Sequence, residues 1–344
     1  MIILPIALAA AVSFVIAALS GFVFIPMLKK LHFGATIYEQ GPVWQKDKNG
    51  TPIMGGFLFI TGTVFASLVT SVVAPSVISC DAFVCSMPRL AAGICFALLN
   101  GCIGFADDYI KAVKKQREGL TPTQKIVMQI IVSAAFLAAL YLLGDTSTAI
   151  HFPFIGDLDL WIFYYPVMML VLIYLTNAVN LTDGVDGLCG SCTVVYALCM
   201  LVIFTLADMN EYRVFAAALA GGCMGFLIWN IHPAKVFMGD TGSMFLGGAV
   251  CAMGFILHEH VIMCFAAIVY ILEALSVVIQ TTYFKYTKMK YGEGRRIFKM
   301  SPIHHHFEMS GFSENKIVVT FSLITLAGGI AAVLLHMFGA VPAA

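Results

Sequence analysis

The chain has 344 residues, 60% hydrophobic and only 11% charged, with 19 Lys and Arg against 19 Asp and Glu. A soluble protein carries about 25% charged residues, so this composition excludes a soluble domain. The net charge is zero, and no nucleic acid is expected as a partner. The apolar runs are continuous rather than alternating, which excludes a membrane β-barrel and leaves an all-α polytopic membrane protein as the expected class.

A membrane-spanning helix needs about 20 apolar residues. Ten runs qualify, at 3–27, 53–73, 89–106, 125–143, 160–178, 189–206, 212–230, 243–257, 261–283 and 317–338. The first lacks a basic leader and is too long for a signal peptide, so it reads as a span. The whole chain, 1–344, reads as a single transmembrane domain. Ten spans put both termini on one side. Of the 19 Lys and Arg, 17 fall in the loops 28–52, 107–125, 231–242 and 284–316, leaving Arg89 and Arg213 on the other face. By the positive-inside rule those loops are cytoplasmic and both termini lie outside.

In chain order, Lys46 to Gly56 enters the second span, where Lys48 could reach a pyrophosphate and the Gly55-Gly56 pair permits tight packing. Cys80 and Cys85 fall in an outer loop and are a candidate disulfide. Gly104-Phe-Ala-Asp107-Asp108-Tyr-Ile-Lys111 closes the third span. On a continuing helix Asp107 and Lys111 form an i,i+4 pair, and the two carboxylates point about 100° apart, so their roles differ. Ser147 to Leu160 partly alternates around Gly156 and reads as a short β-hairpin.

The richest stretch is Asn177 to Gly190, NAVNLTDGVDGLCG, which sets two Asn, two Asp, one Thr and three Gly between apolar runs. Polar residues this dense beside membrane spans are costly unless they line a site. Asp183 and Asp186 are three apart and would share one face of a helix start. An acidic pair with glycine-exposed backbone amides suits a metal-phosphate or nucleotide site. Cys189 and Cys192 have no second pair, so zinc is not expected there. Gly221 and Gly225 form a helix-packing pattern.

Asn230 to Ser243, NIHPAKVFMGDTGS, precedes the eighth span. Asp240 or Thr241 could cap that helix, whose N-terminal amides favour a phosphate. Glu273 lies mid-span and is expected to bond to a neighbouring helix. Ser301-Pro-Ile-His304-His305-His306-Phe-Glu308, with Arg295, Arg296 and Lys299 upstream, suits phosphate better than metal. Each of these stretches, taken alone, also reads as a solvated rim or a helix cap.

Taken together they do not. TPIMGGF, FADDYIK, NAVNLTDGVDGL, NIHPAKVFMGDTGS and SPIHHHFE occur in the order seen in the phospho-N-acetylmuramoyl-pentapeptide transferase family, the translocase I of peptidoglycan synthesis. The resemblance runs from about Lys29 to Phe312. The Asp-Asp and Asn-Leu-Thr-Asp-Gly signatures resemble the wider polyprenyl-phosphate N-acetylhexosamine-1-phosphate transferase superfamily, and HHHFE this branch in particular. Ile53 and Val185 depart from the usual Thr and Leu without removing a polar group.

The resemblance implies an Mg²⁺-dependent transfer of phospho-MurNAc-pentapeptide from UDP-MurNAc-pentapeptide to undecaprenyl phosphate, giving lipid I and UMP. It implies a homodimer, surrounded by membrane lipids, in the bacterial inner (cytoplasmic) membrane. Asp240 is then the metal ligand, Asp107 accepts a proton from or orients the lipid phosphate, and Asp108 supports the metal or Lys111. His304, with these three, is assigned to catalysis. Asp183, Gly184, Val185, Asp186, Asn230 and Phe237 resemble the uridine pocket, with Phe237 stacking on uracil and Lys48 reaching the nucleotide. His305 and His306 join His304 in holding phosphate or sugar, and Lys111, Lys125, Asn177 and Asn180 complete the substrate-binding set. The rival within the class is a sibling transferase using UDP-GlcNAc. A secondary transporter would place its site near the bilayer midplane with inverted repeats, and no repeat is visible here.

Overall fold

The computed structural model describes residues 3–31, 48, 50–78, 82–114 and 119–339. Twelve helices follow in chain order: α1 (Ile3–Lys30), α2 (Gly56–Ile78), α3 (Ala82–Lys114), α4 (Pro122–Leu142), α5 (Tyr164–Thr182), α6 (Leu188–Leu206), α7 (Asn210–Asn230), α8 (Gly239–Ile256), α9 (His260–Ala266), α10 (Ile268–Tyr291), α11 (Ile303–Glu308) and α12 (Glu314–Phe338). Between α4 and α5 lies an antiparallel hairpin, β1 (Ala149–Phe152) and β2 (Gly156–Asp159), with Ala149 opposite Asp159 and Phe152 opposite Gly156. The alternation around Gly156 therefore does make a hairpin. Its neighbours Phe154, Ile155, Trp161, Ile162 and Phe163 are exposed apolar side chains, as expected where a chain meets a bilayer interface.

Nine of these helices are long and apolar enough to cross a membrane, and the chain is a multi-pass, all-α membrane protein. The expected span 261–283 is broken at Ala267 into α9 and α10. The expected span 243–257 is α8, an 18-residue helix that is not among the nine. Its sequence carries Asp240 and five glycines counting Gly239, and every residue from Thr241 to Ile256 is buried. A helix wrapped on all sides by other helices need not be as apolar as one facing lipid. Around this central post pack α2, α3 and α5.

Close approach of backbones, rather than water exclusion, drives helix association in lipid, and small residues permit it. Gly221 and Gly225 of α7 serve this purpose within the chain. A Cβ on Gly221 would stand 2.1 Å from the Ala10 carbonyl oxygen of α1, and one on Gly225 would stand 2.5 Å from that of Phe14.

Helix α3 has 33 residues, about 50 Å at a rise of about 1.5 Å per residue. That exceeds the hydrocarbon thickness of about 30 Å, so its last turns emerge from the apolar layer carrying Asp107, Asp108 and Lys111. The same face receives the starts of α4, α6, α8 and α12 and the ends of α5 and α7. The start of α4 is fixed by a capping box in which Thr121 and Gln124 bond each other's backbone amides. The start of α12 is capped by Ser313. Cys80 lies outside the described residues, and with it the candidate disulfide to Cys85. Cys189 and Cys192 are free and buried.

Candidate active site

Where α3 crosses the start of α8, four charged side chains meet. Lys111, one turn beyond Asp107, pairs with that carboxylate and reaches Asp240 Oδ2 at 3.2 Å. Lys125, in the first turn of α4, lies 2.8 Å from the same oxygen and 3.1 Å from Asp107 Oδ1. Asp107 is fully buried and also accepts the backbone N–H of Leu120 at 2.7 Å. Of the two carboxylates Asp240 is the more open, its side chain 21% exposed against 1% for Asp107. Its Oδ1 accepts from Asn180 Nδ2 at 3.2 Å, and that amide also contacts Ser243 Oγ at 3.0 Å.

The neighbouring Asp108 has a different task. Its carboxylate accepts from the backbone N–H of Asp240 at 3.2 Å, from that of Thr241 at 2.9 Å and from the Thr241 hydroxyl at 2.7 Å. It caps α8 from another helix. The expected cap from Asp240 or Thr241 is thus not made, because the Thr241 hydroxyl is spent as a donor to Asp108. An anion at a helix N-terminus is favoured by the unpaired amides and the helix dipole. Asp107 and Asp108 thus take different partners, the lysines for one and the α8 amides for the other.

Asp183 and Asp186 do not share a helix face. Helix α5 ends at Thr182 and α6 begins at Leu188, so both aspartates sit in the turn between them. Gly187, at φ 78°, makes that turn where a side chain would be strained. Asp186 faces a second network. Lys48 Nζ lies 2.7 Å from both Asp186 Oδ1 and Glu314 Oε2. His232 Nδ1 lies 3.1 Å from Asp186 Oδ2, which also accepts the Ala234 N–H at 3.0 Å. The Asp186 N–H donates to Glu314 Oε2 at 3.0 Å. Burial works against the charge on Lys48, but the hydrogen bonds and charges of Asp186 and Glu314 outweigh it and raise its pKa. The ammonium therefore stays charged at neutral pH.

The Asp183 carboxylate has no hydrogen bond or ion pair among the described residues. Burial first, then the charges of Asp240, Asp108 and Asp186, push it well above the usual carboxylate range, against the pull of Lys48. A carboxyl whose folded pKa exceeds its unfolded one loses stability as pH rises between the two, and the loss is complete above the folded value. Asp183→Asn should therefore melt a few degrees above the ligand-free wild type at pH 8. The gap should narrow as pH falls toward the unfolded value of about 3.9. Thermal melts of the detergent-solubilised protein across pH test this, and a variant melting below wild type at pH 8 contradicts it.

Other candidate residues lie elsewhere or spend their polar atoms. Asn177 donates to Gln129 Oε1 at 2.9 Å and to the Ile173 carbonyl, away from the carboxylates. Asn230 accepts the Gly187 N–H at 3.0 Å and donates to the Val236 carbonyl at 2.9 Å, tying the α5–α6 turn to the segment before α8. Val185 is buried, and Gly184 is partly open. Phe237 is half-buried and its backbone pairs with Pro52 and Gly55. Its ring stacks on no other aromatic among the described residues. The three histidines diverge. His304 turns inward to Glu273, His305 bonds Glu308, and His306 Nδ1 accepts the Lys299 N–H. Glu273 does bond to another helix, and that helix is α11. Glu314 and His232 belong to the site without standing out in the sequence.

The donor set fits a hard divalent cation. One carboxylate oxygen from each of Asp107, Asp108 and Asp240 lies within 4.8 Å of the others. Carboxylate oxygens are the ligands Mg²⁺ prefers. The two networks bring six carboxylates (Asp107, Asp108, Asp183, Asp186, Asp240, Glu314) beside the three ammonium groups of Lys48, Lys111 and Lys125. Of the three clustered aspartates, Asp240 is the one that solvent reaches.

The model of Glycosyl transferase family 4 matches residues 90–258, a span that includes Asp107 through Asp240. The phospho-N-acetylmuramoyl-pentapeptide-transferase of Listeria welshimeri is 39% identical over 329 residues, covering 95% of this chain and 97% of that protein. The protein of the same name from Clostridium perfringens strain SM101 is 42% identical over 322 residues, covering 93% and 94%. With identity this high along nearly the full length of both proteins, the chain belongs to the phospho-N-acetylmuramoyl-pentapeptide-transferase family.

Proposed function

We propose that the chain transfers phospho-MurNAc-pentapeptide from UDP-MurNAc-pentapeptide to undecaprenyl phosphate, with Mg²⁺, at the cytoplasmic face of a bacterial inner membrane. The observation that carries this is the Asp107–Lys111–Lys125–Asp240 cluster at the end of a membrane span, beside the Lys48 network. There a soluble anionic donor and a membrane-borne phosphate can meet. The Lys and Arg bias toward this face supports its cytoplasmic placement.

Phosphoryl transfer asks a protein mainly for positioning and charge neutralisation. An oxygen of the lipid phosphate forms a bond to the sugar-bearing phosphorus of the donor. The bond from that phosphorus to the UMP oxygen breaks, and UMP leaves with the electron pair. Lys111 and Lys125 stand where they can neutralise the incoming phosphate and the diphosphate. Asp107 holds both ammonium groups in place and orients the acceptor. Asp240, with its open carboxylate, would hold Mg²⁺, which supplies neutralisation of the diphosphate when bound. Asp183, Gly184 and Phe237 form the nucleotide side, with the Phe237 ring free to stack on uracil. Lys48 approaches the diphosphate from the opposite edge.

Glu314 sets where Lys48 rests. Glu314→Gln removes one of its two carboxylate partners, and the KM for the UDP donor should change by about tenfold, the scale of about 1.4 kcal/mol for one charged hydrogen bond. The acceptor KM should stay within twofold. Steady-state kinetics with each substrate varied test this, and equal changes in both contradict it.

The donor assignment is tested by offering UDP-MurNAc-pentapeptide and UDP-GlcNAc separately with undecaprenyl phosphate. Product is expected from the first alone, lost with a chelator and restored by Mg²⁺. Turnover of UDP-GlcNAc alone would favour the sibling transferase instead.

A further inference from the structure

Glu273 lies inside α10, 13 residues beyond the start of α9, and is fully buried. A carboxylate inside a membrane-spanning bundle is costly and marks function by default. Its one side-chain partner among the described residues is His304. Glu273 Oε2 lies 3.0 Å from His304 Nδ1 and 3.4 Å from the His304 backbone nitrogen. Two hydrogen bonds to one carboxylate oxygen fix both the backbone and the ring of the residue that opens the histidine run.

The other side of the ring is the informative one. His304 is 0% exposed, and its Nε2 has no hydrogen-bond partner among the described residues. That nitrogen faces the α5–α6 turn, where a Cβ added to Gly184 would lie 2.2 Å from it. Gly184 follows Asp183, so the unpaired nitrogen borders the nucleotide side of the site. A buried polar atom left without a partner costs free energy, and a substrate oxygen brought to this turn would satisfy it.

We propose that Glu273 is a positioning residue. It accepts the His304 Nδ1 hydrogen, fixes that tautomer and turns Nε2 toward the Gly184 turn for use by substrate. The proton on one ring nitrogen is set by the hydrogen bond the other environment allows. Carboxylate partners of working histidines are worth about 10–100-fold in activity where they have been removed. The competing account is that Glu273 only ties α10 to α11.

This inference rests on the transferase reading, and the experiment separates the two. Full-length protein in detergent is assayed for UMP release as wild type, Glu273→Leu, Glu273→Gln, His304→Ala and the double variant Glu273→Leu/His304→Ala, each with its thermal melt. Wild type without turnover defeats the transferase reading. With active wild type, positioning predicts that Glu273→Leu lowers kcat about 10–100-fold, at temperatures where its melt shows the variant still folded. Glu273→Gln, which keeps an acceptor oxygen, should recover most of that loss. The leucine change should add nothing on top of His304→Ala, since a residue acting through another is silent once its target is gone. A tie between helices predicts a lower melt with kcat intact, and independent roles predict losses that multiply. Either result overturns the inference. Should the leucine variant fail to fold, ¹⁵N-histidine spectra of the wild type decide it. A His304 signal of the Nδ1–H tautomer supports the assignment, and one of the Nε2–H tautomer overturns it.

Discussion

Replacing Asp240 by alanine should lower the rate of UMP release by about a thousandfold or more. A metal that neutralises a transferring phosphoryl group is worth several kcal/mol, and about 1.4 kcal/mol is a factor of ten in rate. The same carboxylate also pairs with Lys111 and Lys125, so its removal leaves the two ammonium groups to Asp107 alone. The loss should not come from unfolding. The side chain is the most open carboxylate of the cluster, and the turn it sits on is held by Asp108 through backbone amides that the substitution leaves in place. The variant should therefore melt close to wild type, and its activity should not return at high Mg²⁺. Activity within tenfold of wild type at saturating Mg²⁺ would show that the metal is held elsewhere.

A second large effect should come from a residue with no side chain. Gly104 lies in α3 one turn before Asp108, where α3 crosses the start of α8. A Cβ there would stand 2.0 Å from the Asp240 carbonyl oxygen and 2.7 Å from the Thr241 nitrogen. Both are backbone atoms, and the Asp108 cap ties them to α3 itself. They cannot turn aside as a side-chain tip would, so Gly104→Ala must separate α3 from α8. That moves Asp107 relative to Asp240, and a misplacement of about 1 Å is enough to cost about a hundredfold. The variant should lose about that much in kcat and melt below wild type. An alanine variant with normal kcat and a normal melt would mean that the crossing is looser than the structure has it.

These two positions also mark what a reader of the sequence alone can and cannot reach. FADDYIK and MGDTGS are legible as polar motifs at span ends, and the i,i+4 spacing correctly pairs Asp107 with Lys111. That Asp108 is spent on capping α8 is not legible, because its partner amides lie more than 130 residues away. Separation along the chain also hides Glu314 and His232, which lie 128 and 46 residues from Asp186. Each reads as a solvated polar residue until folding brings the starts of α8 and α12 beside the α5–α6 turn. The turn itself departs from the sequence pattern for a local reason: a three-residue spacing suggests one helix face, but the glycine-rich run ends α5 before Asp183. Hydropathy understates α8 because it measures affinity for lipid, and α8 is surrounded by protein. The histidine run is visible, yet nothing local tells that His304 faces inward while His305 and His306 bond other partners.

The most direct test of the account is UMP release from UDP-MurNAc-pentapeptide by the purified wild type, measured in a single turnover with and without undecaprenyl phosphate. The account predicts no UMP without the lipid. With it, UMP should appear one for one with a lipid-linked pyrophosphoryl sugar, because the lipid phosphate is itself the nucleophile. A burst of one UMP per site in the absence of the lipid, with phosphosugar trapped on Asp107 or Asp240, would contradict direct transfer.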